Sequence, residues 1–302
     1  MSSFALRGVI AAIPTPVAVD GEPDLPRFID LARFLLESGC DGLNVLGTTG
    51  EATSLTVAQR KRIMSAVADA GLPLKAIIVG TGAAAVGDAA DLTRHASNIG
   101  FAGALVLPPF YYKGVGRRGI MRYFDAIASA SGELPLLLYN FPAMTGILYS
   151  VELVESLIEE FGPRIAGLKD SSGDLVYSRA IAELSGKLAV FPSNEKVLIE
   201  ARKSVFAGCI SATANVNADL CAAAYHSGSD VALAAAIAIR GLFDGKPLVP
   251  GVKALMARLR GDDQIAAVLP PLENMSQNDS AAIEAEYNII RTSILLRSER
   301  ET

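Results

Sequence analysis

Eight short runs rich in Val, Ile and Leu recur at roughly 30-residue intervals, and they constrain the fold of this chain more than any other feature. They are Gly8–Ile13, Leu43–Leu46, Ala76–Val79, Ala104–Leu107, Leu136–Tyr139, Ile165–Leu168, Leu188–Phe191 and Ala207–Ile210. None alternates cleanly between apolar and polar residues, as expected of parallel strands buried on both faces. Amphipathic segments lie between them. Leu25–Ser38 stops at Gly39, and Thr56–Ala70 follows Ser54 and Leu55 and stops at Gly71. Val151–Glu160 begins behind Ser150, a natural N-cap, and ends before Gly162-Pro163. Strand and helix in eightfold alternation predict an α/β fold, a (β/α)8 TIM barrel. A doubly wound open sheet is the alternative. It wants a glycine-rich turn after its first strand, where this chain has Pro14-Thr15-Pro16.

The eighth run ends near residue 211. Beyond it Asn217–Arg240 (Ala-rich), Gly251–Arg260 and Ser280–Leu296 read as helices. No Gly/Ser-rich linker intervenes. Residues 1–225 are therefore expected to form the barrel and 226–302 a C-terminal helical extension packed on it, one structural unit. The terminal Arg297–Thr302 is expected to fray. With 302 residues, 51% of them hydrophobic, the chain can build a large core of its own.

Charge and residue inventory exclude several functions. The net charge is −5, from 27 basic and 32 acidic residues, with no basic stripe, so nucleic acid is not an expected partner. The longest clean apolar stretch, Val231–Ile239, is too short to span a bilayer, and no membrane partner is expected. Arg7 interrupts the N-terminal apolar run, and no secretory signal is evident. Cys40, Cys209 and Cys221 are odd in number and lack metal-type spacing, which suits reduced core thiols in a cytoplasmic protein. His95 and His226 are the only histidines, too few for a His-rich metal site or an obvious His-based triad. Chemistry must come mostly from Lys, Tyr, Thr, Ser and carboxylates.

In such a barrel chemistry sits at the carboxyl ends of the strands. Lys169 closes the apolar segment Ile165–Leu168. A lysine there either snorkels to the rim or points into the mouth, where burial disfavours an ammonium and frees the amine to attack a carbonyl. Tyr139 ends the neighbouring strand and can face Lys169, as a proton relay or as a core aromatic with its hydroxyl at the rim. Gly47-Thr48-Thr49-Gly50-Glu51 offers two hydroxyls and consecutive backbone N–H groups, suited to a carboxylate if it is more than a turn. Gly80-Thr81-Gly82 lacks the lysine of a phosphate loop and reads as a tight turn.

Four elements in this order resemble the dihydrodipicolinate synthase / N-acetylneuraminate lyase family of pyruvate-dependent class I aldolases. They are Gly47–Glu51, Tyr139-Asn140-Phe141-Pro142, Gly167-Leu168-Lys169-Asp170 and Ile210-Ser211-Ala212-Thr213-Ala214-Asn215. The resemblance runs from about Gly8 to Asn215. It implies a cytoplasmic TIM barrel, a homotetramer built as a dimer of dimers, with no metal or organic cofactor. It assigns Lys169 the Schiff base with pyruvate or another 2-oxo acid and Tyr139 the proton transfers. Thr48 then bridges Tyr139 to a tyrosine of a neighbouring subunit. Of the pair Tyr111 and Tyr112, Tyr112 is the better match for that role, and Tyr111 packs at the interface. Gly47, Thr49 and the adjacent amides hold the carboxylate, and Ile210 lines the pocket with Ser211 at the end of its strand. Ser193, Asn194 and Glu195 fall where the lyases of the family contact sugar-acid hydroxyls; a solvated loop is the alternative.

The chain departs from the synthases at Met144. They carry an arginine there for the carboxylate of aspartate semialdehyde, and a thioether cannot pair with a carboxylate. Thr56-Val57 and Ala83-Ala84-Ala85 also match the lysine-inhibition site poorly. The expected function is thus a Schiff-base lyase, an aldolase or a dehydratase. Its substrate would be a 2-oxo-3-deoxy sugar acid or a 4-hydroxy-2-oxo acid, giving pyruvate and an aldehyde. The alternatives are 4-hydroxy-tetrahydrodipicolinate synthase, a non-catalytic 2-oxo acid sensor and a metal-dependent barrel aldolase.

Overall fold

The structure is a computed structural model and describes residues 4–203 and 205–298. Eight parallel strands make up its sheet: β1 (Gly8–Ala12), β2 (Gly42–Val45), β3 (Ile77–Gly80), β4 (Gly103–Val106), β5 (Leu136–Asn140), β6 (Ile165–Asp170), β7 (Ala189–Pro192) and β8 (Gly208–Ser211). The helices are α1 (Leu25–Glu37), α2 (Val57–Asp69), α3 (Val86–Ile99), α4 (Arg117–Ala130), the single turn α5 (Pro142–Thr145), α6 (Val151–Phe161), α7 (Leu175–Leu184), α8 (Leu198–Arg202), α9 (Ala214–Ala222), α10 (Asp230–Gly241), α11 (Leu248–Arg260) and α12 (Gln277–Ser298). Ladders join β7-β6-β5-β4-β3-β2-β1-β8, so the sheet curls until its two ends meet. The seam is stitched through Ala207, whose N–H donates to Val190 O at 2.8 Å and whose carbonyl accepts from Gly8 N at 2.8 Å. The fold is a (β/α)8 barrel. A Cβ on Gly208 would collide with the carbonyl of Gly8, so only glycine lets β8 approach β1 this closely.

Strand residues alternate between two apolar environments. Ile10, Ala12, Ile78, Leu105, Leu137, Ala166, Phe191 and Ile210 fill the barrel, while Val9, Leu43, Val45, Val79, Leu136, Leu138, Leu168 and Val190 pack beneath the helices. Two buried faces explain why the strands read as unbroken apolar runs.

Local chemistry sets the helix starts. Thr56 is not the first residue of α2 but its N-cap: it accepts from Gln59 N while the Gln59 side chain accepts from Thr56 N, a reciprocal capping box. Ser150 caps α6 and Asp174 caps α7 in the same sense. The Ala-rich stretch from Asn217 to Arg240 is not one helix. Asn217 leaves helical geometry (φ −143°), a π turn spans Ala223–Ser227, and Gly228 reverses the chain before Ser229 caps α10. The turn at Gly228 has a local cause, a glycine at positive φ followed by a serine N-cap, whereas the kink at Asn217 has a tertiary partner, its Nδ2 donating to Ala236 O at 3.3 Å. The later helices return to the barrel: Tyr287 of α12 donates to Val216 O at 3.0 Å. α12 continues to Ser298, and the rest of the terminal stretch expected to fray lies outside the described residues.

Candidate active site

Register brings the site together. Parallel pairing of β5 with β6 sets Tyr139 directly beside Lys169, and strand alternation turns both side chains inward. Lys169 is 4% exposed and Tyr139 2%. Lys169 Nζ donates to Tyr139 Oη at 3.1 Å and lies 4.3 Å from the centre of that ring. Tyr139 Oη shares a second hydrogen bond, 3.0 Å long, with Thr48 Oγ1. Amine, phenol and hydroxyl thus form an unbroken chain reaching from β6 to the turn after β2. Phe141 stacks on Tyr139 with ring centres 5.9 Å apart, and Ile210 is fully buried in the same inner cluster.

Asp170, the next residue along, has no part in that chain. The pleat sends it to the opposite face, where it accepts from Asn140 Nδ2 (2.8 Å), Ser172 N (3.0 Å), Ser172 Oγ (2.8 Å) and Ser178 Oγ (2.7 Å). Lys169 forms no ion pair among the described residues.

The Gly47–Glu51 turn is bracketed by two non-glycine residues of positive φ, Leu46 at 59° and Glu51 at 53°. Such geometry persists only where the surroundings impose it. Glu51 N donates to Thr48 O (3.0 Å), Ala52 N to Gly47 O (3.3 Å) and Thr15 Oγ1 to Gly50 O (2.8 Å). A Cβ on Gly80 would collide with Leu46 O, so this glycine lets the turn press against β3. The buried Arg60 guanidinium donates to the carbonyls of Gly80 (2.9 Å) and Gly82 (3.2 Å), and burial pulls it down to about 10 from its ordinary value. A small cavity lined by Gly47, Thr48, Gly80, Leu105 and Tyr139 opens above. Thr49 is buried beside Thr48.

The other expected residues are dispersed. Tyr111 and Tyr112 are 73% and 71% exposed and stand edge to face, 5.3 Å apart. Among the described residues neither hydrogen-bonds to Thr48 of its own chain. Ser193 donates its backbone N–H to Asp170 O at 2.8 Å, and Asn194 Oδ1 accepts from Lys196 N at 3.0 Å, capping a short turn. Both are half-buried. Glu195 and Ser211 lie away from solvent. The Glu195 carboxylate accepts from the hydroxyls of Ser211 and Thr213 and from Arg240 Nη1 at 3.2 Å. Together they tie the end of β8 to α10, and the three donors satisfy a carboxylate buried away from water.

Two partners of the turn carry no motif in the sequence. Lys253 in α11 and Thr15 after β1 both support it, Thr15 through Gly50 and Lys253 through Glu51. The available signal was a single lysine inside the buried apolar run Val249–Ala257. Among the described residues no three His, Cys, Asp or Glu side chains gather as metal ligands, and no helix is long and apolar enough to cross a membrane.

Residues 5–288 match the Dihydrodipicolinate synthetase family. A DapA-like lyase of Chloroflexus aurantiacus is 34% identical over 291 residues, covering 94% of this chain and 97% of its own. A 4-hydroxy-tetrahydrodipicolinate synthase of Thermus thermophilus is 36% identical over 210 residues, 69% of either chain. The crystal structure of dihydrodipicolinate synthase from Agrobacterium tumefaciens superposes with a TM-score of 0.87 at 32% identity, over 94% of this chain and 99% of that one. A prophage protein of the dihydrodipicolinic acid synthase family from E. coli K12, in complex with pyruvate, gives 0.86 at 26% identity, over 94% and 98%.

Proposed function

The chain belongs to the dihydrodipicolinate synthetase family of class I lyases, and on that premise we propose that it cleaves a 2-oxo-3-deoxy sugar acid, or a related 4-hydroxy-2-oxo acid, to pyruvate and an aldehyde. The observation that carries this reading is the continuous chain from Lys169 Nζ through Tyr139 Oη to Thr48 Oγ1. The Lys169 lone pair attacks the 2-oxo carbon. Tyr139, within hydrogen-bond reach of Nζ, carries protons as the carbinolamine loses water to give the protonated imine. That imine is an electron sink. When the substrate's 4-hydroxyl gives up its proton, the C3–C4 bond breaks, the aldehyde leaves, and the bonding pair moves into the imine to form an enamine. Protonation at C3 and hydrolysis release pyruvate. Gly47, Thr49 and the neighbouring amides hold the carboxylate with neutral donors. A dehydratase shares every step up to the imine. The pyruvate held by the E. coli relative supports pyruvate as the common half of the substrate.

The exposed Tyr111 and Tyr112 suit a homotetramer in which Tyr112 reaches Thr48 of a neighbouring copy and Tyr111 packs at the interface. Three buried free thiols suit a cytoplasmic setting.

The placement of Lys113 favours the synthase reading. Lys113 Nζ donates to Phe110 O (2.6 Å) and to Thr145 O (2.8 Å), which brings a basic side chain to the turn that also carries Met144, where the synthases have arginine. Borohydride reduction in the presence of pyruvate, read by mass spectrometry, is expected to label Lys169, and a panel of 2-oxo-3-deoxy acids to release pyruvate. No label at Lys169 would leave the sensor reading in place of catalysis. Turnover of aspartate semialdehyde matching that of the sugar acids would put the synthase first.

A further inference from the structure

One buried charged pair with no part in the proposed reaction lies against the turn that would receive the substrate carboxylate. Lys253 and Glu51 form an ion pair with both side chains fully buried. Lys253 Nζ donates to Glu51 Oε1 at 2.6 Å and to Thr15 O at 2.9 Å. The other oxygen of Glu51 accepts from Leu269 N at 2.6 Å, and the Thr15 hydroxyl donates to Gly50 O at 2.8 Å. Three bonds, from the segment after β1, from α11 and from the segment after α11, therefore converge on Gly50 and Glu51, and a fourth ties Lys253 to Thr15. Gly50 and Glu51 are the two residues that follow Thr48 and Thr49.

Stability alone does not account for such a pair. Desolvating two ions offsets most of their attraction, and apolar replacements are often no less stable. Burial pulls the Lys253 ammonium down from its ordinary value, and Glu51 pushes it back up. What the pair supplies is position and charge balance. It holds Glu51 in the left-handed geometry that closes the turn, and it neutralises an anion two residues from the carboxylate site.

We infer that Glu51 and Lys253 are positioning residues for the substrate carboxylate. They preset the amides and hydroxyls of Thr48–Gly50, and Lys253 prevents Glu51 from repelling the incoming 2-oxo acid. The inference rests on the reading of Lys169 as the Schiff-base lysine. Its expected signature is a loss of affinity for the 2-oxo acid rather than of imine chemistry.

The test is the pyruvate dependence of borohydride trapping at Lys169 in the full chain, with circular dichroism melts alongside. In Lys253→Met the half-saturating pyruvate concentration should rise by about tenfold or more, since an unpaired buried carboxylate is left behind. Trapping at saturation should still reach the wild-type extent. Glu51→Gln, which keeps a hydrogen-bonding group against Lys253 and leaves a cation behind, should raise it less. A lower melting temperature with wild-type half-saturation would mean a purely structural pair and would overturn the inference. If Lys253→Met does not fold, Glu51→Gln decides: raised half-saturation supports the inference, and the wild-type value overturns it. Wild-type protein that fails to trap pyruvate at any concentration would instead sink the Schiff-base reading, and this inference with it.

Discussion

Lys169 and Lys253 are both buried, and they differ in what faces the amine. Lys253 meets a carboxylate at 2.6 Å and a backbone carbonyl at 2.9 Å. Lys169 meets a phenol oxygen at 3.1 Å and the face of the same ring. A carboxylate favours the ammonium, whereas a phenol can give a proton as well as accept a hydrogen bond. The barrel produces this difference by simple geometry. The carboxylate nearest to Lys169 in sequence is Asp170, and the pleat of β6 turns it to the other face, where four donors occupy it. Glu51 lies far from Lys253 in sequence, yet the return of α11 to the barrel mouth joins them. Lys169 faces no carboxylate among the described residues, and Lys253 is locked into the scaffold by one.

Four measurements break or sharpen that contrast. Lys169→Ala should lower turnover by at least about 10³-fold, because the covalent route is lost. Its circular dichroism spectrum should be unchanged, since the substitution spares the packed layers below; an unfolded variant would make Lys169 structural. Tyr139→Phe should slow turnover by about 10²–10⁴-fold by removing the proton carrier. Some borohydride-trapped imine should persist, and its complete loss would assign the phenol to imine formation itself. On stability the order reverses. Lys253→Met should cost about 3–5 kcal/mol in denaturant unfolding, the usual result of stranding one member of a buried pair. Equal costs for Lys169→Ala and Lys253→Met would erase the distinction between the two lysines.

The smallest effect belongs to a half-exposed pair. A hydrogen bond from Arg27 holds the Asp262 carboxyl below its ordinary value. A carboxyl depressed in the folded state contributes stability above its unfolded value and loses it as pH falls through the folded one. Asp262→Asn should therefore flatten the acid limb of the stability curve only slightly, because solvent screens the pair. A flattening as large as that of a buried pair would mean that burial is not what separates these interactions.

Much of the barrel is legible in the chain. The eight apolar runs mark β1 to β8 to within about two residues, because a strand buried on both faces needs Val, Ile and Leu at nearly every position. Ser150 announces α6 for an equally local reason. Lys169, Tyr139 and Thr48 are visible as strand-end residues, since a barrel brings strand ends together whatever their separation along the chain. The Ala-rich segment after Asn215 hides its kink at Asn217, which has a tertiary partner in Ala236, whereas Gly228 and the N-cap Ser229 mark the second break locally. Glu195 looks like a substrate ligand in a polar triplet. Only the placement of Ser211, Thr213 and Arg240 around it makes it a buried anchor.

The sequence by itself determined the period of strand and helix, the polar residues offered at the strand ends and an inventory short of histidine. Those are properties of local pattern and inventory. Tertiary structure alone decided which lysine received a carboxylate and which a phenol. That choice is made by the strand pleat and by the folding back of α11, and both depend on residues far apart in the chain.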